Sequence, residues 1–590
     1  MLCAEGLSSL TSALETLLSN PEFFLSPPCR EVREKVLALQ SLVSGRAFGG
    51  RGAVEAASEK ERKLALLRAK HHARDNDKHA VEKCALRAGR MKSLEELCTP
   101  VSLPVVLDGL GAAFPEPSAL PPPLHNPRSC YICKNRFTEL HFFYDSLCPS
   151  CAKLNFEKRN VVVDLKGRVA LVTGARVKIG YQCALKLLRF GAQVVVTSRF
   201  PRDAALRFSK EPDFEEFRGR LSVFGLDFRD LRTLEAFCDF LLNELPRLDI
   251  IINNACQTVR RPAAYYKHLM DVELAFCMED VLPAKVATLL NFEATFLHYQ
   301  EKNRPHQRLR AIEGVPSSDA TERFPADGSN SVVSSIPELV PPSPPISISS
   351  SLSQLVLTAE DDASVFNAAR FLPKGVLDVN FQQVDLRVTN SWTKVAEDVE
   401  SGEVAEVLAI NSMAPFIICS KLKALMVRGG CRAAGVPLGL KTGNRDTNSG
   451  CASPHGARPP HPGIPAASAA FIVNVSSMEG RFYFYKLPTH PHTNMAKAAL
   501  NMFTRTAARG FAEDGVFMTA VDTGWINEEN PRERAAEKVK KNGGFATPLD
   551  ELDAAARILD PVLAPLKDSV DNMASPLWGA FLKDFSPCEW

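Results

Sequence analysis

Two apolar strands joined by a glycine turn decide the fold of this chain. Arg168-Val169-Ala170-Leu171-Val172-Thr173 runs into Gly174-Ala175-Arg176-Val177-Lys178-Ile179-Gly180, and Gln193-Val194-Val195-Val196-Thr197 follows. Continuous apolar runs are typical of strands buried on both faces of a parallel sheet. Between the strands, the pattern predicts a helix that begins near Tyr181. The glycines would let a pyrophosphate approach the N-terminus of that helix, so we expect a dinucleotide-binding α/β fold.

The ends of the next strands carry polar side chains. Leu221–Phe224 leads to Asp227, and Leu248–Ile252 leads to Asn253-Asn254-Ala255-Cys256. The strand at 193–197 continues into Ser198-Arg199 rather than into an acid. An acid would bind the ribose 2′-hydroxyl of NAD, whereas arginine and a hydroxyl suit a 2′-phosphate. We therefore expect NADP(H) in preference to NAD.

The glycine turn resembles that of the short-chain dehydrogenase/reductase family, which has the form T-G-x-x-x-G-x-G. Lys178 replaces the middle glycine, as in the pteridine reductases of that family, and Cys256 stands where the family's N-N-A-G has glycine. Lys178 would add charge toward cofactor phosphates; a surface lysine facing water is the alternative. The resemblance implies a Rossmann-type doubly wound parallel sheet over residues 160–590.

The resemblance also implies a set of cofactor-binding positions. Asp227 would meet the adenine, while Asn253 and Asn254 would steady the sheet edge and the cofactor ribose. The whole set is Thr173, Gly174, Arg176, Lys178, Ile179, Gly180, Ser198, Arg199, Asp227, Asn253, Asn254, Ala255, Lys497 and Thr523.

The second half of the chain supplies the residues that the family uses in catalysis. Asn411, on a helix predicted over 404–425, would hold a water molecule. Ser477, after the strand at 470–475, would bond the substrate carbonyl. Lys497 would bind the nicotinamide ribose and lower a neighbouring pKa by its charge. Thr523 replaces the proline usual before Gly524.

Thr493 occupies the position of the family's catalytic tyrosine, four residues before Lys497. An aliphatic hydroxyl is a far poorer proton donor than a phenol. Three hypotheses stay open. His490 or His492 donates the proton, or Tyr483 or Tyr485 reaches in from the loop after Ser477. Alternatively, Ser477, Lys497 and a water on Asn411 suffice, or the site binds nucleotide without turnover.

Two CxxC pairs precede the α/β region. Cys130, Cys133, Cys148 and Cys151 present four thiolates with the spacing of a structural zinc site. A segment this short has little core of its own, so the metal would supply its folding energy. His141 lies between the pairs and is not expected to be a ligand. With four cysteines as ligands, no open metal site for catalysis is predicted.

The remaining organisation follows from composition. We expect a helical N-terminal region over 1–98, a proline-rich linker over 99–128 and the zinc module over 129–152. Insertions at 303–360 and 429–468, rich in Ser, Pro and Gly, are expected to be disordered. The segment 262–299 is helical in pattern with a break at Pro283, and we expect it to cover the substrate side.

These features predict an NADP(H)-dependent oxidoreductase of a carbonyl or imine substrate with a non-standard proton donor. The alternative is a weakly active or inactive NADP-binding scaffold or sensor. A net charge of +2 over 590 residues demands neither nucleic acid nor membrane. No apolar run long enough to span a bilayer and no secretory signal are evident, so we expect a cytoplasmic protein. A protein partner, bound through the zinc module or through a basic helix or helix pair expected over residues 57–97, stays open, and so does a homo-oligomer.

Overall fold

The computed structural model describes residues 35, 51–90, 121–278, 283–303, 348–362, 364–378, 380–433, 468–482, 485–535, 547–568 and 576–590. The chain divides into two compact units. One comprises residues 1–82 with 123–127, and the other comprises residues 83–122 with 128–590. Of the helical N-terminal region expected over 1–98, the structure describes Lys35 and residues 51–90.

The smaller unit contains a long charged helix, α1, at Arg51–Glu82. Its Leu64, Leu66 and Leu67 are exposed, as in a solvated helix. Near its end, the Asp77 carboxylate accepts from the backbone N–H of His125 at 2.7 Å and of Asn126 at 3.0 Å. These bonds hold the segment 123–127 beside the helix.

The larger unit is built on an eight-stranded sheet in the order β10-β9-β8-β7-β6-β3-β4-β5. All neighbouring strands are parallel except the final pair, β9 and β10. A short antiparallel pair, β1–β2, lies within the cysteine module. The strands are β1 Arg128–Ser129, β2 Arg136–Phe137, β3 Val169–Thr173, β4 Gln193–Ser198, β5 Leu221–Gly225, β6 Ile250–Asn253, β7 Ala470–Ser476, β8 Val516–Asp522, β9 Phe581–Lys583 and β10 Ser586–Cys588.

Helices cover both faces of this sheet, as predicted. The remaining helices are α2 Pro149–Arg159, α3 Lys178–Arg189, α4 Pro201–Phe208, α5 Phe214–Phe217, α6 Leu231–Glu244, α7 Lys267–Met278, α8 Ala284–Asn303, α9 Ile348–Ser351, α10 Ala368–Phe371, α11 Ser401–Leu408, α12 Ala414–Ala433, α13 Pro491–Ala512 and α14 Glu551–Asp568. Helices α3 and α14 pack on one face, and α6, α12 and α13 on the other. Strand order reverses beside β3, where parallel α/β sheets open a crevice for ligands.

One continuous helix, Ser401–Arg428, is long and apolar enough by length and composition to cross a membrane. Half of its apolar window is buried within the fold, and α12 packs against α6 and strand β7. Core helices of soluble proteins pass the same test, and the contacts of this helix are those of a core helix.

Part of the first expected insertion is folded. Residues 304–347 lie outside the described residues, but 348–360 form helical turns in which Ser350 and Ser353 are buried. The chain here is held by side-chain bonds, because Arg260 donates to Thr358 Oγ1 at 2.8 Å and to Asp361 Oδ2 at 2.6 Å. The insertion's boundary therefore lies before residue 348, since polar pairing rather than an apolar pattern orders the chain from 348 onward.

Candidate functional site

The glycine turn has no room for side chains at two of its positions. Gly174 has a φ of +66°, and a Cβ there would come within 2.8 Å of Ala255 Cα. A Cβ on Gly180 would overlap the Asn254 amide and lie 2.5 Å from the Gly174 carbonyl oxygen. The ends of β3 and β6 therefore approach as closely as glycine permits.

Polar bonds fix the same approach. The Thr173 hydroxyl accepts from the backbone N–H of Asn254 and of Ala255, both at 3.0 Å. In return, Asn254 Nδ2 donates to the carbonyl oxygens of Thr173 at 3.0 Å and Gly174 at 3.1 Å. Asn253 points into the sheet, where its Nδ2 donates to Asn474 Oδ1 at 2.8 Å. The asparagine pair thus shapes the turn and the sheet from within.

Lys178 has a φ of +56°, in the left-handed region that favours glycine. Its Nζ lies 3.2 Å from the side-chain oxygen of Asn527, in the amide orientation that satisfies both groups. The lysine thus meets the loop after β8. The neighbouring Ile179 is half-buried and packs against the core beneath the turn.

The end of β4 carries Ser198 and Arg199. The Ser198 hydroxyl accepts from Phe200 N at 3.0 Å. The Arg199 guanidinium stacks on the Tyr266 ring at 4.7 Å and donates to Tyr266 Oη at 3.0 Å. The segment that follows β6 thus supplies an aromatic wall beside this arginine.

Two other predicted cofactor residues already have charged partners. Arg176 donates to Asp203 Oδ2 and to Gln382 Oε1, both at 2.8 Å. Both carboxylate oxygens of Asp227 accept from Arg229, at 2.6–3.1 Å. A cofactor that used Arg176 or Asp227 would have to share or displace these bonds.

Helices α7 and α8 pack against the first half of the sheet, since α8 covers β5 and both helices contact α4. The segment 262–299, which contains most of these two helices, was expected to cover the substrate side, and this stays a prediction. An outer parallel strand leaves unpaired amides, and Glu293 on α8 accepts from Gly225 N of β5 at 2.6 Å. Glu273 on α7 accepts from Arg202 N at 3.0 Å. Burial raises the pKa of each of these glutamates to about 7.

Asn411 lies in a π-turn, Ala409–Met413, between α11 and α12. Its side chain brackets the backbone of Gln257, accepting from Gln257 N at 2.8 Å and donating to Gln257 O at 3.1 Å. The next residue, Ser412, donates to Ala496 O on α13 at 2.8 Å. Single π-turns of this kind frequently occur at functional sites.

Lys497 is buried, and its Nζ donates to the carbonyl oxygen of Val475 at 2.9 Å. Val475 belongs to β7 and lies two residues before Ser477. Ser477 directly follows this strand and is half-buried. One turn earlier on α13, Thr493 is 2 % exposed, and its hydroxyl has no hydrogen-bond partner among the described residues. A buried hydroxyl without a partner is costly and marks a place where a ligand or water is expected.

The two histidines differ in their surroundings. His490 stacks on Trp392 with ring centroids 3.9 Å apart, and its Nδ1 lies 3.0 Å from Trp392 O. Burial lowers the pKa of His490. His492 is 3 % exposed, and its Nε2 lies 3.5 Å from the Glu403 carboxylate on α11. Its Nδ1 has no hydrogen-bond partner among the described residues.

Glu403 was not anticipated from the sequence. It is fully buried and accepts from the Ser391 hydroxyl and from Lys394 Nζ. Burial raises its pKa, but the contact with His492 and the bonds from Ser391 and Lys394 outweigh burial and lower the pKa to about 2. The carboxylate is therefore charged at neutral pH. The only local signal was an acid directly before the helix predicted over 404–425.

Tyr485, one of the two tyrosine candidates, does not join the site. Tyr485 is 82 % exposed, and Tyr483 lies outside the described residues. Thr523 donates to Gly524 O at 3.2 Å. Beside it, Asp522 ends β8 opposite Ser476 of β7, and burial raises the pKa of this carboxyl to about 6. Asp522 was also missed, although an acid that ends an apolar strand is a readable signal.

The four predicted metal ligands do converge. The sulfur atoms of Cys130, Cys133, Cys148 and Cys151 all lie within 4.8 Å of one another, and Cys133 Sγ lies 3.6 Å from Cys148 Sγ. Sulfurs about 2.3 Å from a tetrahedral zinc would be about 3.8 Å apart, so the donor set and spacing fit this metal. His141 is outside the cluster, and its Nδ1 accepts from Phe143 N at 3.1 Å.

The parallel sheet, its switch point and the glycine turn define a Rossmann-type domain. Residues 168–275 match the family model described as short chain dehydrogenase. The part of the chain that holds the turn is therefore similar to the short-chain dehydrogenases.

Three known proteins illustrate the similarity. An uncharacterized protein of Acanthamoeba polyphaga mimivirus is 26% identical over 450 residues, 74% of this chain and 71% of that protein. Retinol dehydrogenase 14 of Mus musculus is 39% identical over 102 residues, which span 15% of this chain and 30% of the enzyme. A crystal structure of NADPH-bound carbonyl reductase from chicken fatty liver has a TM-score of 0.36 and 16% identity, covering 74% of this chain and 98% of that one.

Proposed function

We propose that the protein is an NADP(H)-dependent oxidoreductase that acts on a carbonyl or imine group of a small molecule. The observation that carries this proposal is the glycine turn, in which Gly174 and Gly180 bring β3 and β6 together at the switch point. Arg199 at the end of β4 favours the 2′-phosphate of NADP(H). The oxidoreductase names of the matched relatives support the same class.

The residues around Ser477 would then divide the chemistry. When bound, NADP(H) supplies or accepts the hydride. Ser477 orients the substrate carbonyl or imine, and Lys497 holds the cofactor ribose. In the reductive direction His492 gives its proton to the substrate heteroatom, and the Glu403 carboxylate, 3.5 Å from Nε2, orients the ring. His490 is less suited, because Trp392 and its own lowered pKa keep it fixed and neutral.

Replacing His492 tests the proton donor. His492→Asn should lower turnover about 100-fold, the usual contribution of a general acid, while NADPH affinity stays unchanged. The matched control is His298→Asn, at an exposed histidine on α8. Turnover should be followed as NADPH oxidation against a panel of carbonyl and pterin substrates. Full turnover in His492→Asn would assign the proton to another group.

A scaffold that binds NADP(H) without turnover is the second candidate. It is favoured by the internal partners of Lys497, Arg176 and Asp227, which already occupy groups that a working site would use. Tight NADPH binding with no oxidation across the substrate panel would support this scaffold and exclude the oxidoreductase.

We further propose structural zinc on the four cysteines and a cytoplasmic location for the chain. Zinc analysis of the purified full-length protein should give about one ion per chain. The small-molecule substrate is the main partner under this proposal, and sedimentation of the same sample would reveal a homo-oligomer.

A further inference from the structure

The cysteine module is docked onto the sheet through buried charges. Arg159 on α2 donates to both carboxylate oxygens of Asp550, at 2.5 and 2.8 Å. Arg557 on α14 donates to Asn155 Oδ1 at 2.6 Å. Both arginines are at most 5 % exposed. Buried pairs of this kind are strongly destabilising to break, so the module has one fixed position beside the β8 end of the sheet.

Tyr131, between Cys130 and Cys133, extends from this module to the loop after β8. Its hydroxyl oxygen accepts from Trp525 N at 3.0 Å. Its own backbone N–H donates to Ser146 O at 2.9 Å, within the module. The tyrosine is therefore tied at one end to the metal-binding knuckle and at the other end to the loop 523–527.

The same loop reaches the glycine turn. Trp525 Nε1 donates to Asn527 O at 2.9 Å, which folds the loop on itself. The side chain of Asn527 then meets Lys178 Nζ at 3.2 Å. Each step from the thiolates to the turn is thus a chain segment or a hydrogen bond, which gives a continuous path between the two sites.

We propose that metal on the four cysteines raises the affinity of the cofactor site, with Tyr131 as the positioning residue that transmits the effect. This inference rests on the proposed NADP(H) binding. Metal–thiolate bonds hold the knuckle closed, and the knuckle holds Tyr131 against Trp525. Without metal the loop loses this support, and cofactor binding must then order it at a cost in affinity.

The test compares NADPH affinity, by calorimetry on the full-length protein, with and without metal in the wild type and in Tyr131→Phe. Removal of metal by a chelator should weaken NADPH binding in the wild type by about fivefold or more. Tyr131→Phe keeps the ring and loses only the acceptor, so it should weaken binding of the metal-loaded protein about three- to tenfold. Removal of metal should then weaken NADPH binding by a smaller factor in Tyr131→Phe than in the wild type.

Two further measurements separate coupling from a general loss of folding. By reciprocity, saturating NADPH should raise zinc affinity by the same factor, measured by competition with a chelating dye. On removal of metal, hydrogen exchange of the backbone amides should speed up at residues 523–527, while the amides of the sheet strands stay protected. Cys133→Ser should reproduce metal removal, whereas Cys588→Ser, outside the cluster, should not.

The outcomes are distinct. Equal NADPH affinity with and without metal in a folded protein would overturn the coupling and leave the proposed function intact. An unchanged affinity in metal-loaded Tyr131→Phe would overturn the role of Tyr131. If the metal-loaded wild type binds no NADPH, both the coupling and the proposed function are wrong.

Discussion

The glycine turn and the start of α13 differ in how far their buried polar groups are hydrogen-bonded. At the turn, the Thr173 hydroxyl and the Asn254 amide bond the backbone around them. At the start of α13, Thr493 Oγ1 and His492 Nδ1 are buried without hydrogen-bond partners among the described residues. Each such group costs about 1–3 kcal/mol. The turn is complete in itself, whereas the start of α13 is complete only with a ligand or water.

This difference explains why glycine is kept at two positions of the turn, whereas the family's tyrosine is not kept at position 493. Close backbone approach leaves Gly174 and Gly180 no alternative residue, whatever the cofactor does. At 493, by contrast, the phenol is absent while Lys497 and Asn411 keep their buried positions. Packing alone therefore requires glycine at these two turn positions. Only the chemistry of the site would require a tyrosine at position 493.

The largest effect is expected where packing alone decides. Gly180→Ala places a Cβ against Asn254 and the Gly174 carbonyl, and neither can move without opening the turn. We expect a loss of about 3 kcal/mol in the free energy of unfolding, at the upper end for overpacking. NADPH binding should be lost with it. Urea unfolding followed by circular dichroism and calorimetric titration measure the two effects.

Gly510→Ala is the matched control for this substitution. Gly510 lies within α13, and nothing stands within 4 Å of a Cβ built there. Alanine in a helix interior should therefore stabilise the fold by about 0.5–1 kcal/mol. If Gly180→Ala proves as mild as this control, the turn is not fixed by packing and the contrast between the regions fails.

A smaller effect is expected from restoring the family's tyrosine. Thr493 is 2 % exposed, so Thr493→Tyr should overpack its surroundings and cost about 1–3 kcal/mol. If His492 is the proton donor, the added phenol should not raise turnover. A thermal unfolding scan and the NADPH oxidation assay check the two expectations. A gain in turnover of tenfold or more would show that the site lacks only a proton donor at position 493.

The fold and the turn were open to prediction from the sequence because local patterns encode them. The apolar strands at 169–173 and 193–198, and the helix broken at Pro283, appear where the sequence places them. The last strands, β9 at Phe581–Lys583 and its antiparallel partner β10, are short and carry no such pattern.

The contacts that define the catalytic region could not be foreseen in this way. Tyr131 and Trp525 are 394 residues apart in the chain, and His492 and Glu403 belong to different helices. No periodicity links such positions, since their proximity depends on how α11 packs against α13. The order of the chain after residue 348 could not be foreseen for the same reason, because side-chain bonds from Arg260 rather than apolar residues hold it.

The smallest effect is expected at Lys178, where two substitutions separate the role of the backbone conformation from the role of the charge. Lys178→Gly and Lys178→Ala both remove the ammonium group, but only glycine adopts a φ of +56° without strain. The glycine variant should therefore be more stable than the alanine variant by about 1 kcal/mol, the usual cost of this left-handed conformation. Both should bind NADPH about three- to tenfold more weakly if the lysine contacts a phosphate. Unchanged affinity in both would mean that Lys178 serves only the loop at Asn527, and the turn would then be fixed by packing without any contribution from its charge.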